Sequence, residues 1–330
     1  GDGEIELARL EADAIEAEAA ALAVEGVKTV AGCGNGWSRM ERWVAASNGF
    51  TSYLSGGSTG LGLAAVAMRD DAMERDYDSW NVRKMAHRPS PAEIGRTAGE
   101  RAVARLGPRK VKTQKAAVIY DKRVASSLIG ALLSAISGPS VARGVSFLKD
   151  RMGSQVFAGG VNIIDDPFLE RALGCRNHDG EGLPVARKAL VEDGVLTRWL
   201  LNTSSARQLG LEPNGFASGG FGHPPGVGTS NTHIEAGAKS PDELMQGAGK
   251  GLLVTDMFGP SINPNTGDYS VGVAGFWFEN GEIQYPVSEV TIAGDLPSIF
   301  GRLIPASDLE FRGRMNSPSL LVEDMSIAGN

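Results

Sequence analysis

The sequence predicts an α+β fold with mostly antiparallel sheets and helices inserted between the strands. Segments of β-like content dominate residues 27–80 and again the chain after residue 155. Asn-Gly and Asp-Gly pairs, which favour two-residue hairpin turns, separate several of these segments. The 44 glycines among 330 residues favour turns over long helices. A chain of this length suits two domains.

Charge and composition narrow the classes of partner. The net charge is −7 and the pI about 5.3, so we expect no direct nucleic acid partner and no membrane partner. Neither a run of 18 apolar residues nor a secretory signal is present. The two cysteines, Cys33 and Cys175, fit a reducing compartment, and a disulfide between them stays open. We therefore expect a cytoplasmic protein, whose start at Gly1 without Met suggests trimming or processing.

The first predicted domain, residues 1–110, begins with an amphipathic helix over residues 4–24, because apolar residues recur there at steps of three and four. A small antiparallel meander follows over residues 27–80. The Asn-Gly pair within residues 47–50 predicts its first turn. The Gly-rich residues 55–60 predict a second one.

A second helix begins with three capping signals. Ser90 can cap it, Pro91 occupies its first position, and Glu93 completes a capping box. Its buried stripe runs through Ile94 and ends before the Gly-Pro pair at 107–108. The basic residues between Arg101 and Lys115 are interpreted as a solvated helix end and a linker.

The second predicted domain covers residues 111–330 and starts with a buried strand at 116–120. Two of its hairpin turns are predicted from Asp-Gly at 193–194 and Asn-Gly at 280–281. The alternation of Phe276 and Phe278 with Trp277 predicts a strand that is covered on both faces. The other predicted elements are helices over 123–136, 141–148 and 241–248, a stop at 137–139, an alternating strand through Val195, Thr197 and Trp199, and a last strand at 319–323.

One connection, residues 216–230, contains five glycines and two prolines. A loop this long without periodicity is typical of a functional segment or of a disordered one. Two interpretations stay open at this point, a flap over a groove and a loop without fixed structure.

The search for catalytic chemistry gives weak signals. The four histidines, His87, His178, His223 and His233, have no metal-type spacing. His178, Asp179 and Glu181 could supply an acid and a base, but the surrounding Asn, Asp and Gly are typical of a turn, which is the favoured interpretation. Asp165, Asp166 and Pro167 are interpreted as a strand exit.

Several segments together resemble the TldD/PmbA metallopeptidase family, in its PmbA (TldE) branch. The clearest are residues 265–270 (NTGDYS) and 275–283 (GFWFENGEI). The resemblance implies twisted or barrel-like sheets, and an additional segment ahead of residue 1. The other segments that carry it are residues 73–78, 146–148, 165–167, 179–182, 190–196, 203–207, 251–255, 285–287 and 291–294.

The same resemblance implies that this chain lacks the family's zinc site. TldD-type members carry His-Glu-x-x-x-His on a helix and a Cys near the carboxy terminus. In the register set by Gly144 and Ser146, the helix positions are Ile129, Gly130 and Ser134, and residues 312–317 contain no Cys. These residues offer no imidazole, carboxylate or thiolate. We expect no cofactor in this chain and zinc in a TldD-type partner.

The resemblance finally implies a function. We expect a metal-free subunit that joins a TldD-type catalytic subunit and acts on unfolded or short peptides and peptide precursors. The alternative is a stand-alone interaction protein, a homodimer, as an older family name, modulator of DNA gyrase, suggests. A weaker third reading is an independent peptidase around residues 178–181. The candidate contacts to a peptide are His178, Asp179, Glu181, His223, Asn231 and His233.

Overall fold

The computed structural model describes residues 3–47, 49–219 and 223–329. The chain divides into two compact units. The first unit comprises Gly1–Pro108 with Arg171–Leu173, and the second comprises Arg109–Glu170 with Gly174–Asn330. The predicted α+β class with mostly antiparallel sheets is confirmed.

The first unit places two helices on one face of a three-stranded antiparallel sheet. Strand order is the chain order, so the predicted meander is confirmed. Its elements are α1 (Leu7–Leu22), β1 (Val27–Ala45), β2 (Thr51–Arg69), β3 (Ala72–Val82), a 3₁₀ turn (Met85–His87) and α2 (Pro91–Ala104).

The predicted turn at residues 55–60 is wrong, because these residues lie inside β2. The chain instead turns after Arg69, where Asp70 adopts a positive φ of 53°. Glycine permits a turn without requiring one, and here continuous pairing with β1 keeps the strand extended. Within the same strand, a Cβ at Gly62 would lie 2.6 Å from Ser79 Cβ, so close strand contact explains that glycine. The turn predicted at 47–50 includes Asn48, which lies outside the described residues.

The core of the first unit forms where α1 and α2 pack closely together. A Cβ at Gly95 in α2 would lie 1.9 Å from the carbonyl oxygen of Ala17 in α1, so only glycine permits this contact. Ser90 caps α2 as predicted, accepting a hydrogen bond from Glu93 N–H at 3.2 Å. The core residues are Ala17, Ala21, Val27, Leu61, Leu63, Ala65, Ala67, Ile94, Ala98, Ala102 and Leu106.

The predicted solvated helix end is wrong at Arg105. This side chain is only 8% exposed. It faces Glu74 at 3.5 Å and Asp76 at 3.7 Å, both on β3. The carboxylates on the strand attract the guanidinium to the sheet, so the charge is paired rather than solvated.

The second unit contains the remaining helices and strands of the described chain. Its helices are α3 (Lys122–Ala135), α4 (Gly138–Ala142), α5 (Thr203–Leu209), α6 (Pro241–Ala248) and α7 (Leu296–Gly301). Its strands are β4 (Gln114–Tyr120), β5 (Ile163–Asp165), β6 (Lys188–Glu192), β7 (Val195–Leu196), β8 (Ala217–Ser218), β9 (Gly226–Val227), β10 (Thr232–Ile234), β11 (Lys250–Ile262), β12 (Asp268–Glu279), β13 (Glu282–Asp295), β14 (Leu303–Pro305), β15 (Met315–Asn316) and β16 (Leu320–Ala328).

Five long strands of this unit close into a barrel. The order is β13-β12-β11-β4-β16, and β16 also pairs with β13 to close the ring. Only the pair β4–β11 in this ring is parallel. Strand β14 extends the sheet beyond β16, a second sheet has the order β15-β10-β5-β6-β7, and β8 pairs with β9. The barrel-like sheet that the family resemblance implies is therefore present.

Both faces of β4 are buried, which explains its uninterrupted apolar sequence. Val118 and Tyr120 belong to the main core, whereas Ala117 and Ile119 pack with Leu244 of α6 and its neighbours. The strand at 276–278 is covered on both faces in the same way, as predicted.

Several local predictions for the second unit are confirmed, among them the hairpin turns at 193–194 and 280–281 and the helix over 241–248. The helix predicted at 141–148 is misplaced. It begins at Gly138, because Pro139 occupies its first turn rather than ending the preceding helix. The strand predicted through Trp199 stops at Leu196, and the Trp199 side chain joins the main core instead.

Candidate functional site

Helix α3 carries the three positions at which the resemblance puts a metal helix. Asp121 caps the helix, accepting a hydrogen bond from Arg123 N–H at 2.9 Å. Ile129 faces inward and is fully buried in the main core. Its side chain therefore acts as a packing group of the barrel-side core.

Gly130 and Ser134 lie one turn apart on the open side of α3. A Cβ at Gly130 would meet no atom within 4 Å. Ser134 is exposed, and its Oγ donates a hydrogen bond to the carbonyl oxygen of Gly130 at 3.0 Å. Neither position carries an imidazole, carboxylate or thiolate, so the donor set of α3 does not fit a zinc ion.

Residues 312–317, the segment in which the family resemblance puts a Cys, form a turn that is held by hydrogen bonds of the Asn316 side chain. Asn316 is 4% exposed and accepts hydrogen bonds from the N–H groups of Arg312 and Gly313 at 2.8 and 3.0 Å. Its Nδ2 donates to Gly313 O at 2.9 Å. Helix α3 packs against β15 and β10, so this turn lies beside the helix without adding a metal donor.

Metal-binding residues do not cluster elsewhere in the described chain. Within residues 3–47, 49–219 and 223–329, no three His, Cys, Asp or Glu side chains are grouped so that they could hold a metal ion. Cys33 and Cys175 are both thiols rather than a disulfide. The expected absence of a cofactor stays a prediction.

The cluster at 178–181 forms an ordered turn whose side chains are already engaged. Asp179 is 2% exposed, and its Oδ1 accepts hydrogen bonds from Glu181 N–H and Leu183 N–H, both at 2.9 Å. Its Oδ2 accepts one from Ala217 N–H at 3.1 Å. His178 Nδ1 lies 2.7 Å from the carbonyl oxygen of Asp179.

The Glu181 carboxylate stabilises the start of α5. Its Oε2 accepts hydrogen bonds from Thr203 N–H at 2.9 Å and Thr203 Oγ1–H at 2.7 Å, at the start of α5. A carboxylate at this end also interacts favourably with the helix dipole. His178, Asp179 and Glu181 therefore fold the turn, which is the interpretation favoured from the sequence, and their engagement argues against an independent peptidase centre.

Asn231 lies immediately before β10 and His233 lies within it. Asn231 is fully buried, accepts a hydrogen bond from Gly174 N–H at 2.7 Å and donates to Asp166 O at 2.8 Å. His233 is 7% exposed, and its Nδ1 has no hydrogen-bond partner. Its ring packs edge-on against Phe311, with centroids 5.2 Å apart. Burial lowers the pKa of His233, an effect that the charge of Glu235 opposes.

The Gly-rich connection contains a short hairpin. Ala217 and Ser218 of β8 pair with Val227 and Gly226 of β9. His223 is exposed between these strands, and residues 220–222 lie outside the described residues. Of the six predicted peptide contacts, His223 is exposed, His178 and Glu181 are half-buried, and Asp179, Asn231 and His233 are buried.

A partly buried polar network, which sequence reasoning missed, anchors both ends of this connection. Arg176 donates to Gly228 O at 3.0 Å and to Gly215 O at 3.4 Å. Arg314 donates to Thr229 O at 3.1 Å. Lys188 donates to Asn214 O, and its Nζ lies 5.0 Å from the centre of the Phe216 ring. Burial lowers the pKa of both Arg176 and Lys188.

Asp165 is the anionic centre of this network. Its carboxylate accepts hydrogen bonds from Ser230 N–H and Ser230 Oγ–H, each at 2.8 Å, and from Thr232 Oγ1–H at 3.2 Å. Burial raises its pKa, and the bonds from Ser230 and the charge of Arg176 offset only part of that rise. The strand-exit motif at 165–167 is the only local signal that could have identified it.

The comparisons with known proteins agree with this scaffold. Residues 113–329 match the family model of the PmbA/TldA metallopeptidase C-terminal domain, and residues 2–106 match that of the central domain. The fold thus defines the class of protein: an α+β protein of two units, with a closed five-stranded barrel in the second. The chain belongs to the PmbA/TldD metallopeptidase family, as the sequence predicted.

Comparison with one relative shows what share of a family member's length this chain covers. The metalloprotease PmbA of Escherichia coli O157:H7 is 39% identical over 270 residues, which are 82% of this chain and 58% of the relative. This chain therefore spans under two thirds of that relative's length.

Two solved structures share the fold. A candidate modulator of DNA gyrase from Thermotoga maritima has a TM-score of 0.91 and 27% identity, and the match covers 98% of this chain and 75% of that one. TldE from Thermococcus kodakarensis has a TM-score of 0.89 at 22% identity, covers 99% and 75% of the two chains, and is similar in fold. None of the helices among the described residues combines the length and apolar character that crossing a bilayer requires.

Proposed function

We propose that this chain is the non-catalytic subunit of a two-component metalloprotease, in which a TldD-type partner holds the zinc. The observation that carries the proposal is the chemistry of α3. Ile129 is buried in the core, Gly130 has no side chain, and the hydroxyl of Ser134 is bonded to the helix backbone. A zinc ion needs nitrogen, oxygen or sulfur donors that converge on it, and a peptidase must also activate a metal-bound water.

The proposed partnership explains why a family of metallopeptidases contains a chain with this helix. The E. coli relative bears the name metalloprotease, and the two-component arrangement assigns the metal to the other subunit. This chain would then contribute binding surface and stabilise the catalytic subunit. We propose unfolded or short peptides and peptide precursors as substrates, because an extended peptide can add to a sheet edge through its backbone alone. The proposed location is the cytoplasm.

The test combines metal analysis, digestion and co-purification. We expect the purified chain to contain less than stoichiometric zinc and to leave casein and short peptides intact. We expect it to co-purify with a protein carrying His-Glu-x-x-x-His, and the pair to digest peptides in a chelator-sensitive reaction. Stoichiometric zinc in this chain, or digestion that persists after removal of every TldD-type contaminant, would contradict the proposal.

The second candidate is a stand-alone interaction protein without hydrolytic activity. The description of the Thermotoga maritima structure as a candidate modulator of DNA gyrase favours it. Co-purification separates the two functions. A complex with gyrase subunits, and none with a TldD-type chain, favours the modulator.

A further inference from the structure

The second unit contains a cavity of about 430 Å³ between the segment at residues 147–159 and helix α7. This volume lies in the range of pockets that bind small molecules. Arg151 and Gly159 line the cavity and are exposed, so it is open to solvent on their side. The lining residues that the structure describes include no residue of α3 and none of the six predicted peptide contacts. The cavity is therefore a feature separate from the site discussed above.

The inner surface of the cavity is aromatic and aliphatic. Phe157 lines it and stacks on Phe300, with ring centroids 4.4 Å apart and ring planes 17° apart. Phe147, another lining residue, packs against the same Phe300 ring with centroids 6.4 Å apart. Leu148 and Val156 add buried aliphatic surface to the lining. The apolar part of a ligand would gain free energy here by leaving water.

Backbone hydrogen bonds hold the walls of the cavity in place. Ala158 N–H donates to the carbonyl oxygen of Phe300 at 3.1 Å, which joins the 147–159 segment to α7. Phe147 N–H donates to the carbonyl oxygen of Pro264 at 2.8 Å, which joins it to the turn between β11 and β12. Because these bonds fix the walls without a ligand, binding requires little ordering of the chain.

Two glycines leave the space between the walls unfilled. A Cβ at Gly301 would meet no atom within 4 Å, and a Cβ at Gly159 would meet only Asp193 Oδ1, at 3.8 Å. Neither glycine has the positive φ that would exclude other residues. The missing side chains at these two positions therefore leave room for a ligand.

Arg151 is the one charged side chain among the lining residues that the structure describes. Its Nη2 donates to the carbonyl oxygen of Gln155 at 2.9 Å, which orients the guanidinium. An arginine has five N–H donors, so others remain for a bidentate pair with a carboxylate. One carboxylate balances the single positive charge, whereas a phosphate dianion would need a further cation.

We propose that this cavity binds a small carboxylic acid with an aromatic or branched aliphatic body. The carboxylate pairs with Arg151, and the body packs against Phe147 and Phe157. A free acid and the C-terminal residue of a peptide with an apolar side chain present the same chemistry. This site is additional to the protease role proposed above and does not depend on it.

A titration with phenylbutyrate, followed by methyl NMR, tests the site. We expect saturable shifts of the Leu148 and Val156 methyl resonances at about millimolar concentration or below. The methyl resonances of Leu244, which lies in a separate core cluster, should stay in place. Phenylbutanol has the same body without the charge, and butyrate has the charge without the ring. We expect each to bind about tenfold more weakly than phenylbutyrate.

A second pair of ligands distinguishes the two sources of the carboxylate. An acetylated tripeptide that ends in Phe with a free carboxylate is compared with its C-terminal amide. We expect the same methyl resonances to shift with the acid and about tenfold weaker binding of the amide. Tighter binding of the tripeptide than of phenylbutyrate identifies a peptide terminus as the ligand, and the reverse order identifies a free acid.

A charge variant and a matched control complete the test. Arg151→Gln removes an exposed charge, and we expect it to bind phenylbutyrate about tenfold more weakly while its affinity for phenylbutanol is unchanged. Arg143→Gln removes an exposed arginine outside the lining and should bind like the parent. The proposal is overturned by equal affinities of the parent for phenylbutyrate and phenylbutanol, by an unchanged affinity in Arg151→Gln, or by shifts that miss Leu148 and Val156 or extend to Leu244.

Discussion

Asp179 Oδ2 accepts a hydrogen bond from the backbone N–H of Ala217 at 3.1 Å, which joins the turn at 178–181 to the first strand of the Gly-rich hairpin. The other oxygen of Asp179 accepts two further backbone hydrogen bonds within its own turn. One buried carboxylate therefore organises two segments that are far apart in sequence. Residues that look catalytic in the sequence act here as supports of the fold.

Replacing Asp179 should reduce stability. In Asp179→Ala, one buried and two partly buried N–H groups lose their acceptor, and we expect the free energy of unfolding to fall by about 3 kcal/mol. Urea unfolding measures the change. Asp150→Ala, at an exposed position, is the control and should stay within about 0.5 kcal/mol of the parent. Equal stability of the two variants would contradict the supporting role.

Two helical glycines should respond in opposite ways to the same substitution. A methyl group at Gly95 would collide with Ala17 O, since the Cβ position is 1.9 Å away. We expect Gly95→Ala to destabilise the first unit by about 3 kcal/mol or more. Gly130→Ala in α3 meets open space and should stabilise the protein by about 0.5–1 kcal/mol. Thermal unfolding of both variants checks this, and a stable Gly95→Ala protein would argue against the close helix contact.

Introducing a metal-binding side chain at Ile129 of α3 tests whether this position is buried. Ile129→His puts a polar ring in the apolar core and should cost about 2–4 kcal/mol of stability. Ser134→His, at an exposed position, is the matched control and should change stability by less than about 0.5 kcal/mol. Chemical denaturation distinguishes the two. An Ile129→His variant as stable as the parent would mean that this side of α3 is open.

His233 should make stability depend on pH. Because burial lowers its pKa below the usual 6.5, the unfolded chain binds a proton at a pH where the folded chain does not. Stability contributed by the neutral ring is therefore fully present above about pH 6.5 and decreases as the pH falls towards the lower folded pKa. Unfolding measured between pH 5 and 7.5 should give a shallower pH dependence for His233→Gln than for the parent. An unchanged slope in the variant would exclude His233 as its source.

Much of the local structure could be predicted because it depends on neighbouring residues. Ser90 and Pro91 start α2, and the Asp-Gly and Asn-Gly pairs at 193–194 and 280–281 form hairpin turns, as expected from their backbone preferences. The lack of metal donors at Ile129, Gly130 and Ser134 likewise follows from residue type alone. None of these inferences depends on which distant segment packs nearby.

The candidate site was less predictable, because its contacts are long-range. Asp165 accepts a hydrogen bond from Ser230, 65 residues away, and Arg176 donates one to the carbonyl oxygen of Gly228, 52 residues away. Local composition indicated a turn at 178–181 but not that Asp179 supports Ala217. Similarly, the glycines of residues 55–60 suggested a turn, whereas pairing with β1 holds them in a strand.

The sequence by itself determined the family, the α+β class, the helix caps and the hairpin turns, because these depend on side-chain type and short-range backbone preference. Only the tertiary structure decided which polar residues are buried supports and how β16 closes the barrel against β13. Those outcomes depend on desolvation and on pairing between segments far apart in the chain. These interactions contribute to stability only when the distant segments are in contact.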